Sequence, residues 1–334
     1  MKYLKILIIV AILICAWVFL RHTDLNKVGS SLQQVGYHFI WLLLSSACSY
    51  ICGTMAWRYC MGADGKRIKL AQLFWIRHVG ETVGVINPTS IVAGEAMKIY
   101  LLRDHQIEKP VVITSVLLSR VLMMVTQLLS LLIITILAFV FVPALHFSFS
   151  VAVMVLGILA GVVVIIYLLI LLFKGLGKTR LGNWFACRTE KLRAKISEAN
   201  TALRAFYYTN KKDLLIACCF FMLHWVLGSL ELYIILRLLG TGAGFIPAMF
   251  VDMSVIIFKS AGAFVPAQIG VEEYGNKLML AAIGLSATET WVTASLLRRA
   301  RQLFWIITGL VAYFFIDRKR TIISYQNGDP VCKS

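Results

Sequence analysis

Several apolar runs in this sequence reach the roughly 20 residues needed to cross the hydrocarbon core of a bilayer, and no other feature limits the fold as strongly. The clearest are Ile6–Leu20, Ile40–Ala56, Val111–Val142, Ser150–Phe173, Leu214–Leu239 and Trp291–Ile316. Hydrophobic residues make up 60% of the 334 and charged residues 15%, too little polar surface to cover a soluble core of that size. The chain therefore reads as an all-α polytopic membrane protein forming one integral membrane domain over residues 1–334. The first run passes into polar Arg21-His22-Thr23-Asp24 without a small-residue cleavage signature, so it reads as an uncleaved helix.

The net charge of +17 raises the question of nucleic acid, but the placement of the charge answers against it. Basic residues gather in short loops: Arg58 to Lys69; Lys98, Arg103 and Lys109; Lys174 to Lys212; and Arg318-Lys319-Arg320. A Lys/Arg excess in short loops marks the cytoplasmic face, where it meets anionic headgroups. With Lys2 and Lys5 inside, alternating spans bring every strongly basic loop to one side. Both termini are then cytoplasmic, and only Arg21 and Lys27 need lie outside. The 174–212 loop contains an amphipathic pattern from Asn183 to Phe206, read as a helix lying on the lipid surface, and 317–334 reads as a cytoplasmic tail. The eight cysteines show no metal-site or redox spacing and read as small packing residues.

Two apolar stretches do not fit as ordinary spans. Leu70–Leu102 is interrupted at Asn87-Pro88 and holds Arg77, His78, Glu81 and Glu95; Phe245–Leu285 is interrupted at Pro266 and holds Asp252, Lys259, Glu272, Glu273 and Lys277. Each reads as two half-helices meeting at a proline, a re-entrant hairpin, which is tolerated only against protein or a water-filled cavity. The expected architecture is about six full spans plus these two hairpins, seven to eight spans by a coarser count.

The two regions also repeat each other. Gly84, Pro88, Ile91, Glu95, Leu102, Leu118 and Arg120 align without gaps on Gly262, Pro266, Ile269, Glu273, Leu280, Leu296 and Arg298. Repeat 1 spans about 70–142 and repeat 2 about 245–316. The loop charges give them opposite orientations, an inverted repeat of the kind that in transporters places binding sites at broken helices.

The residues with chemical potential lie on these repeats. The second half-helices are expected to begin at Thr89-Ser90 and near Ala267-Gln268, where free N–H groups and the positive helix end suit a phosphate. A plain proline kink, satisfied by neighbouring helices, is the simpler alternative. Glu95 and Glu273 lie seven residues past Pro88 and Pro266. Each costs roughly 2–4 kcal/mol in a bilayer and should face a cavity or a cation. Arg120 and Arg298 fall near mid-bilayer depth, and the pairs Glu95–Arg120 and Glu273–Arg298 are expected. The same guanidinium forks also fit a lipid phosphate. Arg298 and Arg301 share a helix face, and Arg299 points elsewhere. Arg77 and Glu81, at i,i+4 spacing, read as self-neutralising, with His78 a packing histidine. Glu231 is left between pairing with Arg237 and facing a cavity. The candidate headgroup-binding set is thus Pro88, Ser90, Glu95, Arg120, Pro266, Gln268, Glu273, Arg298 and Arg301. No Ser–His–Asp arrangement, HExxH, glycine-rich phosphate loop or metal-ligand cluster occurs, so no enzyme activity, cofactor or metal is expected.

The segment Ile86-Asn87-Pro88-Thr89-Ser90-Ile91-Val92-Ala93-Gly94-Glu95-Ala96-Met97-Lys98 resembles the first signature of the lysylphosphatidylglycerol synthase transmembrane-region, or flippase-like, family. Val265-Pro266-Ala267-Gln268-Ile269-Gly270-Val271-Glu272-Glu273 resembles the second, and Ser295-Leu296-Leu297-Arg298-Arg299-Ala300-Arg301 the arginine-bearing last core helix. The resemblance spans about residues 5–318. Ala93 stands where the family usually has a second glycine, and Glu272 where many members have another residue, often basic. The resemblance implies a stand-alone flippase-like protein without the synthase domain. It would move an anionic or zwitterionic phospholipid, or an isoprenoid-type lipid, between leaflets of a cell inner membrane through a polar cavity between the repeats. Membrane lipids are its expected partners, with a lipid-synthesis enzyme as a further one and no nucleic acid. Two other readings stay open: a membrane-embedded enzyme modifying a lipid or lipid-linked sugar, and a non-transporting partner of a lipid-synthesis enzyme.

Overall fold

Charged and glycine-containing breaks in the apolar pattern divide the chain into helices of two lengths. The computed structural model describes residues 33, 35–86, 90–102, 107–142, 157, 210–261 and 270–326, and everything among them is helix, turn or short connection. A short 3₁₀ turn leads into α1, Phe39–Cys60. A second one, Gly62–Arg67, leads to α2, Leu70–Ile86. There follow α3, Ser90–Leu102, and α4, Lys109–Phe141 with Pro110 in its first turn, where a missing N–H costs nothing. The second series is α5, Lys211–Leu238; α6, Phe245–Ala261; α7, Val271–Ala282; and α8, Thr288–Gln326. The helix α8 thus continues past the expected tail boundary at residue 317.

Three of these helices, within Gly36–Cys60, Pro110–Phe141 and Lys211–Leu238, are long and apolar enough to cross a membrane. The α4 side chains Ile113, Leu117 and Met124 are exposed on one face and Ile133, Ile136 and Val140 on the opposite face further along, an apolar surface that lipid would cover favourably. Together with the all-helical content, this makes the protein an all-α polytopic membrane protein. The expected spans Ile6–Leu20 and Ser150–Phe173, and the Asn183–Phe206 surface helix, lie outside the described residues.

The short helices pair as expected. The helix α2 packs along α3, and α6 along α7. The 13 residues of α3 and the 12 of α7 rise about 20 Å, short of the roughly 30 Å hydrocarbon core. Close approach in the first hairpin depends on glycine: a Cβ on Gly94 would sit 2.6 Å from the Gly80 carbonyl oxygen. In the second hairpin, a Cβ on Gly275 would meet the Phe258 side chain at 3.3 Å. The ends of α5 and α7 are both closed by Schellman motifs. Gly240 and Gly284 take φ of 68° and 89°, and the N–H groups of Thr241 and Leu285 reach back to the Leu236 and Leu280 carbonyls.

The order long helix, hairpin, long helix therefore occurs twice, α1–α4 and α5–α8, one helix more per unit than the sequence pattern marks. The two leading helices, α1 and α5, pack extensively against each other. Their contact is lined with small residues: Ser49 donates to the His224 carbonyl (2.9 Å), and a Cβ on Gly228 would lie 3.5 Å from Ser49 Oγ. The long closing helices cross over, α4 packing on α6 and α8 on α2. Gly309 admits the latter contact, since a Cβ there would strike Thr82 Oγ1. One apolar cluster joins α4–α8 through Leu131, Leu232, Phe250, Leu280 and Leu297, and another joins α1–α5 through Trp57, Leu73, Leu101, Val116 and Phe221.

Candidate functional site

Each hairpin gathers charged side chains against the long helix that follows it. On the first, Lys98 of α3 bridges Glu81 of α2 (2.8 Å) and Glu95 of α3 (3.1 Å). Arg120 of α4 pairs with Glu95 and reaches Glu81 at 3.4 Å. The expected Glu95–Arg120 pair is therefore present, but as half of a four-residue network. Lys98 belongs to that network, with 4% of its surface exposed, and not to a cytoplasmic loop. Glu95 keeps one buried carboxylate oxygen, Oε2, without a hydrogen-bond partner.

Arg77 does not neutralise Glu81 as its spacing suggests. Its Nη1 donates to the Tyr50 backbone carbonyl (3.2 Å), and its guanidinium lies against Gly53 of α1. Lys98 and Arg120, brought by other helices, have taken Glu81. His78 is a packing histidine: Nε2 bonds the Trp305 carbonyl at 2.9 Å within a ring cluster including Tyr50 and Phe74.

On the second hairpin the arginines of α8 are shared out differently from the expectation. Arg298 pairs with Asp252 of α6, and its Nη1 donates to Asn276 Oδ1 at 3.2 Å. Glu272 and Glu231 lie 3.7 and 3.9 Å from Arg298 Nε. Glu273 instead takes Arg299, at 2.8 Å from both Nε and Nη2, and accepts the Gly270 N–H at 2.8 Å. The reason is local. The helix α7 starts at Val271, not near Gln268, so Glu273 sits in its first turn and caps its own helix end. That first turn needs a carboxylate of its own, which removes it as a ready anion site. Glu231 of α5 pairs with Arg301 (2.6 Å), not Arg237, which lies over the Tyr233 ring. Arg298 and Arg301 do share a face, and Arg299 points away.

Tyr50 of α1 joins the two groups. Its carbonyl receives Arg77, and its hydroxyl receives Arg301 Nη1 at 3.2 Å. The structure thus brings Glu95 and Arg120 together in one network, and Arg298 and Arg301 in the other, with Glu273 at the latter's edge. Pro88, Pro266 and Gln268 lie outside the described residues. Ser90 is the first residue of α3. Among the described residues no group of His, Cys, Asp or Glu could hold a metal ion.

The family model for the lysylphosphatidylglycerol synthase TM region matches residues 3–310, all eight described helices included or entered. The chain belongs to that family. No curated protein and no solved structure matches it. Within this lysylphosphatidylglycerol synthase TM region, sequence reasoning left Tyr50, Asp252 and Asn276 without partners and, for Glu231, weighed Arg237 or a cavity but not Arg301. Asp252 and Glu231 were marked by being acids within apolar runs, which calls for a cation nearby. Tyr50 and Asn276 carried no such mark.

Proposed function

We propose that this chain is a flippase-like lipid transporter, moving an anionic or zwitterionic phospholipid or isoprenoid-type lipid between leaflets. The observation that supports this reading is the pair of charged networks on the two hairpins, joined through Tyr50 inside a bundle with a lipid-facing surface. Buried charge is expensive in a membrane and is kept where it meets a polar cargo. Broken helices at repeat interfaces are where transporters bind substrate. The headgroup contacts assigned are Glu95, Arg120, Arg301 and Ser90, with Pro88, Pro266, Gln268, Glu273 and Arg298 shaping the route. The chain performs no covalent chemistry and uses no cofactor. It lies in a cell inner membrane with both termini in the cytoplasm and the hairpins in opposite orientations. Membrane lipids are its partners, with a lipid-synthesis enzyme supplying them.

Proteoliposomes carrying fluorescent phosphatidylglycerol test this. Impermeant reductant added outside should quench label beyond the outer-leaflet share when the protein is present, and Glu95→Gln should slow the exchange. Quenching equal to protein-free vesicles would end the transport reading. A covalent lipid product formed by the purified chain would favour the enzyme.

A further inference from the structure

The charges of the two networks do not balance alike. Around the second hairpin, Lys259, Arg298, Arg299 and Arg301 face Glu231, Asp252, Glu272 and Glu273, four against four among the described residues. Around the first, Arg77, Lys98 and Arg120 face Glu81 and Glu95, three against two among the described residues. Both acids are engaged by Lys98 and Arg120. Arg77, 5% exposed, makes no ion pair among the described residues, though it lies within electrostatic range of Glu81, Glu95 and Arg120. Its one hydrogen bond goes to a neutral carbonyl, leaving other N–H groups of its fork free of described partners.

A buried guanidinium with no direct ion pair, in a network with three cations to two acids, is costly at membrane depth, and an anion relieves it. The surroundings admit one. Glu81 and Arg120 side chains are 32% and 24% exposed, whereas Arg298 and its neighbours Asp252 and Glu231 are 8%, 5% and 5% exposed, the 29% and 28% of Glu273 and Lys259 falling on residues paired elsewhere. Gly53 leaves the space that the guanidinium occupies, fixing it against α1, since a Cβ there would stand 2.7–2.8 Å from its Cζ and Nη atoms. Glu95 Oε2, buried and unpartnered, offers an acceptor in the same network to a hydroxyl or ammonium donor.

We propose that Arg77, and not Arg298, is the principal contact for a singly charged anionic group, held by its fork between α1 and α2, with Glu95 Oε2 receiving a donor of the same ligand. The chemistry shared is that of anionic phosphate oxygens; its two sources are a phospholipid phosphodiester and free phosphate. The inference rests on the reading of the chain as a lipid-handling protein, but its test does not require transport.

The test uses the full chain in neutral detergent and follows the midpoint of thermal loss of monodisperse protein. The additions are phosphatidylglycerol, diacylglycerol or inorganic phosphate. A ligand that binds only the folded chain raises the midpoint. Phosphatidylglycerol should raise it for wild type, and diacylglycerol, which lacks the phosphate, should not. In Arg77→Gln the lipid concentration needed should increase by about tenfold or more, the loss of one charge-assisted contact. Without lipid, Arg77→Gln should be as stable as wild type or more so, because the charge removed makes no direct ion pair and is the excess cation of its network. A purely structural Arg77 gives the opposite: a lower midpoint without lipid and an undiminished response to phosphatidylglycerol, which would overturn the proposal. A wild type indifferent to both lipid and phosphate would overturn it too. An equal response to inorganic phosphate, lost in Arg77→Gln, supports the anion site and assigns it to the free ion. A chain that binds lipid through Arg77 but does not flip it would refute transport and leave the site standing. Flipping with an unchanged Arg77→Gln response would do the reverse.

Discussion

Neutralising Asp252 and Arg298 singly and together tests the charge pairing around α8. In Asp252→Asn, Arg298 loses its closest carboxylate but keeps Glu272 at 3.7 Å and Glu231 at 3.9 Å. At an effective dielectric of about 20, a unit pair at such separations attracts by about 4 kcal/mol before desolvation is counted. The arginine is therefore not stranded, and the loss should fall near the lower end of the roughly 3–5 kcal/mol seen when a buried pair is broken. Arg298→Gln leaves Asp252, Glu231 and Glu272 with Arg301 and Lys259 as their direct ion-pair partners among the described residues, and should cost nearer the upper end. The double variant should recover about 2 kcal/mol relative to the sum of the singles, a coupling typical of close charge pairs. Reversible unfolding in mixed micelles at rising sodium dodecyl sulfate measures all four corners of the cycle. A parallel cycle on Glu273→Gln and Arg298→Gln should be additive within about 0.5 kcal/mol, because Glu273 binds Arg299 instead. Coupling in that second cycle as large as in the first would refute the pairing drawn here.

Tyr50→Phe removes the hydroxyl that receives Arg301 but keeps the carbonyl that receives Arg77, so it should cost about 1–2 kcal/mol in the same unfolding assay. Gly94→Ala forces a methyl to within 2.6 Å of the Gly80 carbonyl oxygen and should destabilise by about 1–3 kcal/mol, while Ala96→Gly on the exposed face should cost less than half as much. Cys187 and Cys332 should react with an impermeant thiol reagent only after the cells are opened, and Cys60, 2% exposed, should resist it from either side; labelling of Cys187 or Cys332 in intact spheroplasts would reverse the assigned orientation.

The helices and their breaks were legible because membrane solvation leaves few choices. A run of 17 to 33 apolar residues must close its own hydrogen bonds, and the bias against helix before Pro88 agrees with α2 ending at Ile86. The glutamates and arginines were legible as a class for the same reason: each charge in such a run implies a partner. Glu95 and Arg120 found one another as their spacing in the repeat suggests.

Transferring that pair to the second repeat failed, and the failure has a geometric cause. The helix α3 begins two residues after Pro88, whereas α7 begins five after Pro266. Equivalent glutamates therefore stand at different depths in their helices, Glu95 more than a turn inside and Glu273 at the cap. One step along α8, from Arg298 to Arg299, turns a side chain by about 100°, so a small axial difference is enough to exchange partners. Which acid faced Arg298 was decided by α5 packing on α8 and α6 coming within side-chain reach of it, bringing Glu231 and Asp252 from positions far away in sequence. Composition and periodicity determine that charges in a membrane must be paired. Only the packing of helices decides which ones meet, and that buried Arg77 makes no direct ion pair among the described residues.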